Sequence, residues 1–165
     1  MSMWIVFNVI MATIMGVLHQ GGVIPALEAF HTTTEYKTTG TAFIWWRTYS
    51  PPTWMFGETP QNLKIISLEE NTIPSTLALD SSAGLISVDA MGMNYEKLTN
   101  VIEQISTHYE KVYVITPIAS FKENFNTSSF EEVWSYAYHV DMDHLDFSHP
   151  QSLQPGLAIY SLLRL

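Results

Sequence analysis

The densest run of side chains able to do chemistry is HVDMDHLDFSH, which carries His139, Asp141, Asp143, His144, Asp146 and His149. Mixed imidazole and carboxylate donors suit zinc, manganese or iron. Their spacing fits no established ligand motif, and the chain has no cysteine to complete one. The segment therefore reads first as a hydrogen-bonded loop, and a metal site or direct substrate contact through Asp143, His144 and Asp146 are the functional alternatives. No metal and no cofactor is assigned. Asp89 ends the apolar run GLISVDA (84–90), at the carboxyl end of an expected strand, where ligands of open α/β sheets gather. The following DAMGMN has neither the dinucleotide glycines nor the lysine of a phosphate loop, so a loop opening a helix is its simpler reading. Asp89 joins the substrate-contact candidates on position alone. The acid pairs Glu69–Glu70 and Glu131–Glu132 do not face one another, because sequence neighbours point apart on helices and strands alike. No Ser–His–Asp pattern or nucleophile elbow is present, and no residue is assigned as catalytic. Asn126, in Asn-Thr-Ser, is a glycosylation candidate.

The elements that must position these groups are set by apolar periodicity. The first charged side chain is Glu28, preceded by an apolar block from Met3 to Leu18. At the short limit of the roughly 17–25 residues a membrane-spanning helix needs, this block predicts such a helix, ended by Gly21, Gly22 and Pro25. A polar loop leads to AFIWWRTY (42–49), an alternating strand stopped by Pro51 and Pro52. LKIISL (63–68), residues 84–90 and KVYVITPI (111–118) read as further strands. Residues 94–109 read as an amphipathic helix with Asn94 as N-cap. Strand, helix and strand here form a βαβ unit, with 111–118 central and parallel to 84–90. Ser128 and Glu131 suggest a capping box opening a helix through Phe130, Val133, Trp134 and Ala137, and residues 156–165 a closing strand. The fold class is α/β: an N-terminal membrane helix, then a small mixed, mostly parallel sheet with flanking helices.

Composition narrows the partners. Charged residues are 14% of the chain, against about 25% in an average soluble protein, which points to contact with a membrane or a larger apolar partner. The formal charge of −9, with no basic cluster, argues against nucleic acid. The stiff stretch RTYSPPTWMFG (47–57) comes directly after the Trp45–Trp46 pair. It reads either as an aromatic elbow at a membrane surface or as a strand end with Trp54 in the core.

Three segments in order, GVLHQGGVIPAL (16–27), RTYSPPTWMFG (47–57) and YHVDMDHLDF (138–147) with LQPGLAIYSLL (153–163) after it, resemble the carboxyl-terminal portion of the glycosyltransferase family 22 mannosyltransferases of the endoplasmic reticulum. Within the family they are most similar to the enzymes of GPI-anchor assembly that add a fourth mannose. The resemblance implies an α-mannosyltransferase that takes mannose from dolichol-phosphate-mannose and attaches it, on the lumenal side, to a lipid-linked GPI precursor. It also implies an upstream membrane domain bearing the catalytic carboxylates, so that this stretch alone is inactive. Residues 1–25 would be the last membrane helix and its exit, 26–62 a loop, strand and Pro-Pro elbow, and 63–165 a lumenal α/β tail that is structural or touches the acceptor. The rival readings are another family member acting on a different GPI mannose or on dolichol-linked oligosaccharide, and a membrane-tethered binding module without catalysis.

Overall fold

The computed structural model describes residues 2–33, 40–56, 63–68, 77, 79, 84–144, 147–148 and 150–163. It begins with helix α1 (Ser2–Thr13), continued by a π-helical turn over Ile14–Leu18. Helix α2 (Val23–Thr32) and strand β1 (Thr41–Trp45) come next. Strands β2 (Leu63–Ser67) and β3 (Leu85–Asp89) lead to helix α3 (Tyr95–Ser106) and strand β4 (Lys111–Pro117). Helix α4 (Ile118–Asn124), strand β5 (Phe130–Tyr136) and strand β6 (Leu157–Leu162) complete the order.

The described strands form one sheet in the order β2-β3-β1-β4-β6-β5. The pairs β2–β3, β3–β1 and β1–β4 are parallel, and β6 is antiparallel to both β4 and β5. The mixed α/β class and the mostly parallel sheet therefore match the sequence reading. Strands 111–118 and 84–90 are parallel as expected, but β1 lies between them, and α3 crosses over it. All five residues of β1 are buried, as a strand covered on both faces requires.

Alternation along β1 feeds two cores. Ala42, Ile44 and Trp46 face α3 and α4, where Leu98, Val101, Ile105, Phe121 and Phe125 pack. Phe43 and Trp45 face α2, against Ala26, Leu27 and Phe30. Each tryptophan finds a partner for its indole N–H. Trp45 donates to Ser87 Oγ (3.1 Å) and Trp46 to the Met93 carbonyl (2.8 Å), which satisfies the polar end of a buried aromatic. The Trp45–Trp46 pair is thus core and not a membrane-facing elbow. Trp54 reverses the other expectation, since it is 76% exposed on a short 3₁₀ turn.

Four further expectations are corrected. No described helix is long and apolar enough to cross a membrane. The regular part of the apolar block, α1, has 12 residues, roughly 18 Å at 1.5 Å per residue, against a hydrocarbon core of about 30 Å. Pro25 does not stop a helix but sits in the first turn of α2, where the missing N–H has no intrahelical partner to lose. The helix expected from Ser128 is strand β5, zipped to β6 over its length with a bulge between Glu132 and Trp134. The first strand ends at Trp45, four residues before the expected Tyr49, because Arg47 turns left-handed.

Candidate ligand cavity

All parallel strands end at one edge of the sheet, and the loop joining β5 to β6 returns to that edge, since Leu157 pairs with Pro117 at the end of β4. Gly21 and Gly22 let the chain entering α2 close against this loop. A Cβ on Gly22 would lie 2.7 Å from Leu157 Cβ, and one on Gly21 would lie 2.5 Å from the Tyr138 carbonyl oxygen. The approach is fixed by Val140 N–H donating to the Leu18 carbonyl (2.8 Å) and by Gly22 N–H donating to His139 Nδ1 (3.2 Å).

Between these segments lies an open cavity of about 390 Å³, lined by Gln20, Arg47–Ser50, Asp89, Met91, Gly92, Asp141, Asp143 and His144. The volume falls within the range of small-ligand sites, roughly 300–1,000 Å³. Backbone strain concentrates here. The described non-glycine residues with positive φ are Gln20 (55°), Arg47 (51°) and Met91 (46°), and all three line the cavity. Such conformations cost about 1–3 kcal/mol each and cluster at ligand-binding positions. Arg47 and Met91 lock one another, since Arg47 N–H donates to the Met91 carbonyl (2.7 Å).

The polar groups divide into those that build the wall and those left for a ligand. Gln20 Oε1 accepts from Thr48 Oγ1 (2.8 Å) and from Tyr49 N–H (3.1 Å). Both oxygens of Asp89 accept, one from Ser50 Oγ (3.0 Å) and the other from Met91 N–H (3.1 Å). Both oxygens of Asp141 are engaged, by Asp143 N–H (3.1 Å) and by His144 Nδ1 (2.6 Å). Arg47 stacks its guanidinium 4.8 Å over the Trp46 ring, and its buried Nε has no hydrogen-bond partner among the described residues. The Asp143 carboxylate has no such partner among them either. An arginine fork and a carboxylate of this kind bind, respectively, an anionic group and sugar hydroxyls. Behind the wall, burial holds His139 down to about 4, with Asp141 opposing that shift and His19 adding to it. Among the described residues no group of three or more His, Asp or Glu is arranged to hold a metal ion.

Of the substrate-contact candidates, Asp89, Asp143 and His144 meet in this one cavity, and Asp146 lies outside the described residues. Sequence reasoning missed Gln20 and Arg47. The signal was present in HQGG and RTYSPP, but a strand pattern placed Arg47 beside Trp45, and only the left-handed turn moves it to the cavity.

Comparison with known proteins gives a family match first. Residues 1–58 match the Alg9-like mannosyltransferase family, glycosyltransferase family 22. The particular kinship comes from matches over nearly the whole chain. The chain is 41% identical over 99% of its length to GPI mannosyltransferase 4 of Debaryomyces hansenii, 40% over 97% to that of Candida albicans and 35% over 96% to that of Saccharomyces cerevisiae. The resemblance seen in the sequence is thereby shown: the chain is similar to the carboxyl-terminal portion of these family 22 enzymes. It spans 28–32% of the length of these three relatives.

Proposed function

We propose that this chain acts as the tail domain of an endoplasmic reticulum mannosyltransferase that transfers mannose from dolichol-phosphate-mannose to a GPI-anchor precursor, and that its cavity contacts the acceptor glycan. One observation carries the reading. The three separate stretches on which the family resemblance rests, around Gln20, Arg47–Ser50 and Asp141–His144, converge as the walls of a single cavity. Sequence that only held a fold together would not need three strained residues facing the same space. In this reading Asp143 and His144 accept hydrogen bonds from sugar hydroxyls, Asp89 holds Ser50 and the Met91 turn in place, and Arg47 reads an anionic substituent. These are positioning roles. The catalytic carboxylates belong to the membrane domain, as does the lipid-linked donor. The apolar surface of α1, with Met3 86% and Trp4 68% exposed, lies against the bilayer or that domain, and the sheet stands on the lumenal side.

The test joins this chain to the upstream portion of the Saccharomyces cerevisiae relative and assays mannose transfer in membranes supplied with dolichol-phosphate-mannose and graded GPI precursor. Asp143→Asn and Arg47→Gln should each raise the acceptor KM about 10-fold, the effect of losing roughly 1.4 kcal/mol of binding, with kcat nearly unchanged. An unchanged acceptor KM in both variants removes the cavity from substrate recognition. A chimaera that folds and is membrane-bound yet transfers nothing would favour the non-catalytic binding module.

A further inference from the structure

Asn126 begins the only Asn-X-Ser/Thr sequence in the chain, and nothing in the cavity or its chemistry uses it. It is exposed in the turn between α4 and β5, immediately after the buried Phe125. Ser128 N–H donates to Asn126 Oδ1 (3.1 Å). That bond orients the carboxamide and leaves Nδ2, the atom that would carry a sugar, without a partner among the described residues. The turn is pinned on both sides, by Ser129 N–H to the Asn126 carbonyl (3.4 Å) and by Leu163 N–H to the Ser129 carbonyl (2.9 Å). An acceptor asparagine is thus presented on a short, anchored turn with its nitrogen outward.

The strand after this turn gives a glycan something to cover. β5 is the outermost strand of the sheet, with Glu131, Glu132 and Val133 exposed and Val133 39% accessible. An outermost strand offers unpaired backbone groups to a passing chain unless charge, a bulge or a cover blocks it. β5 carries those two charges near its start and a bulge between Glu132 and Trp134, yet Phe130 ahead of them and the exposed Val133 beside them are apolar. Asn126 lies just before those residues. It also lies at the opposite edge of the sheet from the cavity, because Phe130 pairs with Leu162 while Tyr136 pairs with Leu157.

We infer that Asn126 is an N-glycosylation site whose glycan covers the amino-terminal part of β5 while leaving the cavity open. The inference rests on the lumenal placement proposed above. In the transfer, Asn126 Nδ2 attacks the anomeric carbon of a lipid-pyrophosphate-linked oligosaccharide. The C–N bond forms as the bond to the pyrophosphate oxygen breaks, the pyrophosphate leaves with the electron pair, and one amide proton passes to a base of the cellular oligosaccharyltransferase.

The chimaera described above, expressed in yeast and treated with endoglycosidase H, tests it. The untreated protein should migrate one glycan heavier than Asn126→Gln and Ser128→Ala, and Ser128→Thr should keep the glycan. A control carries Gln151→Asn with Leu153→Thr, which builds a second acceptor on the exposed turn Pro150–Leu153. A glycan on the control site but none on Asn126 overturns the inference and leaves the lumenal reading standing. A glycan on neither removes the lumenal reading and the inference together. For the covering role, detergent-solubilised Asn126→Gln and Ser128→Ala should self-associate at lower concentration than the glycosylated protein by light scattering. Equal association in both overturns that role.

Discussion

Protonating His139 would remove the acceptor that Gly22 N–H uses, and would place a charge where side-chain exposure is 1%. Burial keeps its folded pKa near 4, below the ordinary 6.5, with the neighbouring charge of Asp141 opposing and His19 reinforcing the shift. The unfolded chain therefore binds this proton first as pH falls. Stability from the neutral imidazole is complete above about pH 6.5 and is lost progressively as pH drops from there toward 4. The loss is on the order of 2–4 kcal/mol at the acid end. Urea melts of the detergent-solubilised protein from pH 7.5 to 4 should show this slope, and His139→Gln, which offers an oxygen to Gly22 without titrating, should flatten it. An identical slope in both proteins would show that His139 is not the responsible group. At this scale the sequence displayed three of the side chains that line the cavity. Asp89, Asp143 and His144 stood out by type and position. Gln20 and Arg47 did not, because an amide and an arginine look ordinary until a left-handed backbone aims them.

Elements were legible where the local pattern and the tertiary environment agree. α3 shows both, since Asn94 Oδ1 caps Lys97 N–H (3.0 Å) and Leu98, Ile102 and Ile105 form the buried stripe. β4 is a continuous apolar run because both of its faces are covered. Val114 is fully buried against the α3 side, so Val114→Asp strands a charge with no partner and should cost on the order of 4 kcal/mol. That predicts a thermal midpoint lower by ~10 °C or a chain that does not fold. A midpoint within a degree or two of the parent would mean the sheet order is wrong. β5 was unreadable for the complementary reason. Phe130, Val133, Trp134 and Ala137 recur at helical spacing, and the bulge between Glu132 and Trp134 shifts the register so that no single two-residue alternation runs through the strand. Its conformation is set by pairing with β6, some 25 residues further on. Likewise α2 was hidden behind Pro25, whose place in a first turn is decided by where the helix starts and not by the proline.

For the whole molecule, the apolar fraction that pointed to a membrane resolves into two parts. One is the two-sided core, and the other is α1, in which no residue is buried. The first belongs to any α/β domain, so composition alone overstated the membrane content. The second predicts behaviour. The expressed chain should stay with membranes through a high-salt wash, and deletion of residues 2–18 should release it while the sheet remains folded by circular dichroism. Full release of the undeleted chain would place α1 against protein rather than lipid. The strand order has a consequence in time. β1 occupies the middle of the sheet, yet it leaves the ribosome well before either neighbour, and Lys111 of β4 comes 70 residues after Thr41. At about 5–20 residues per second, Phe43, Trp45 and Trp46 wait roughly 4–14 s without the strand that covers them on that side. A nascent chain in that interval is a client for holding factors, and slowing translation between β1 and β4 should lower the yield of folded protein more than the same slowing after β6.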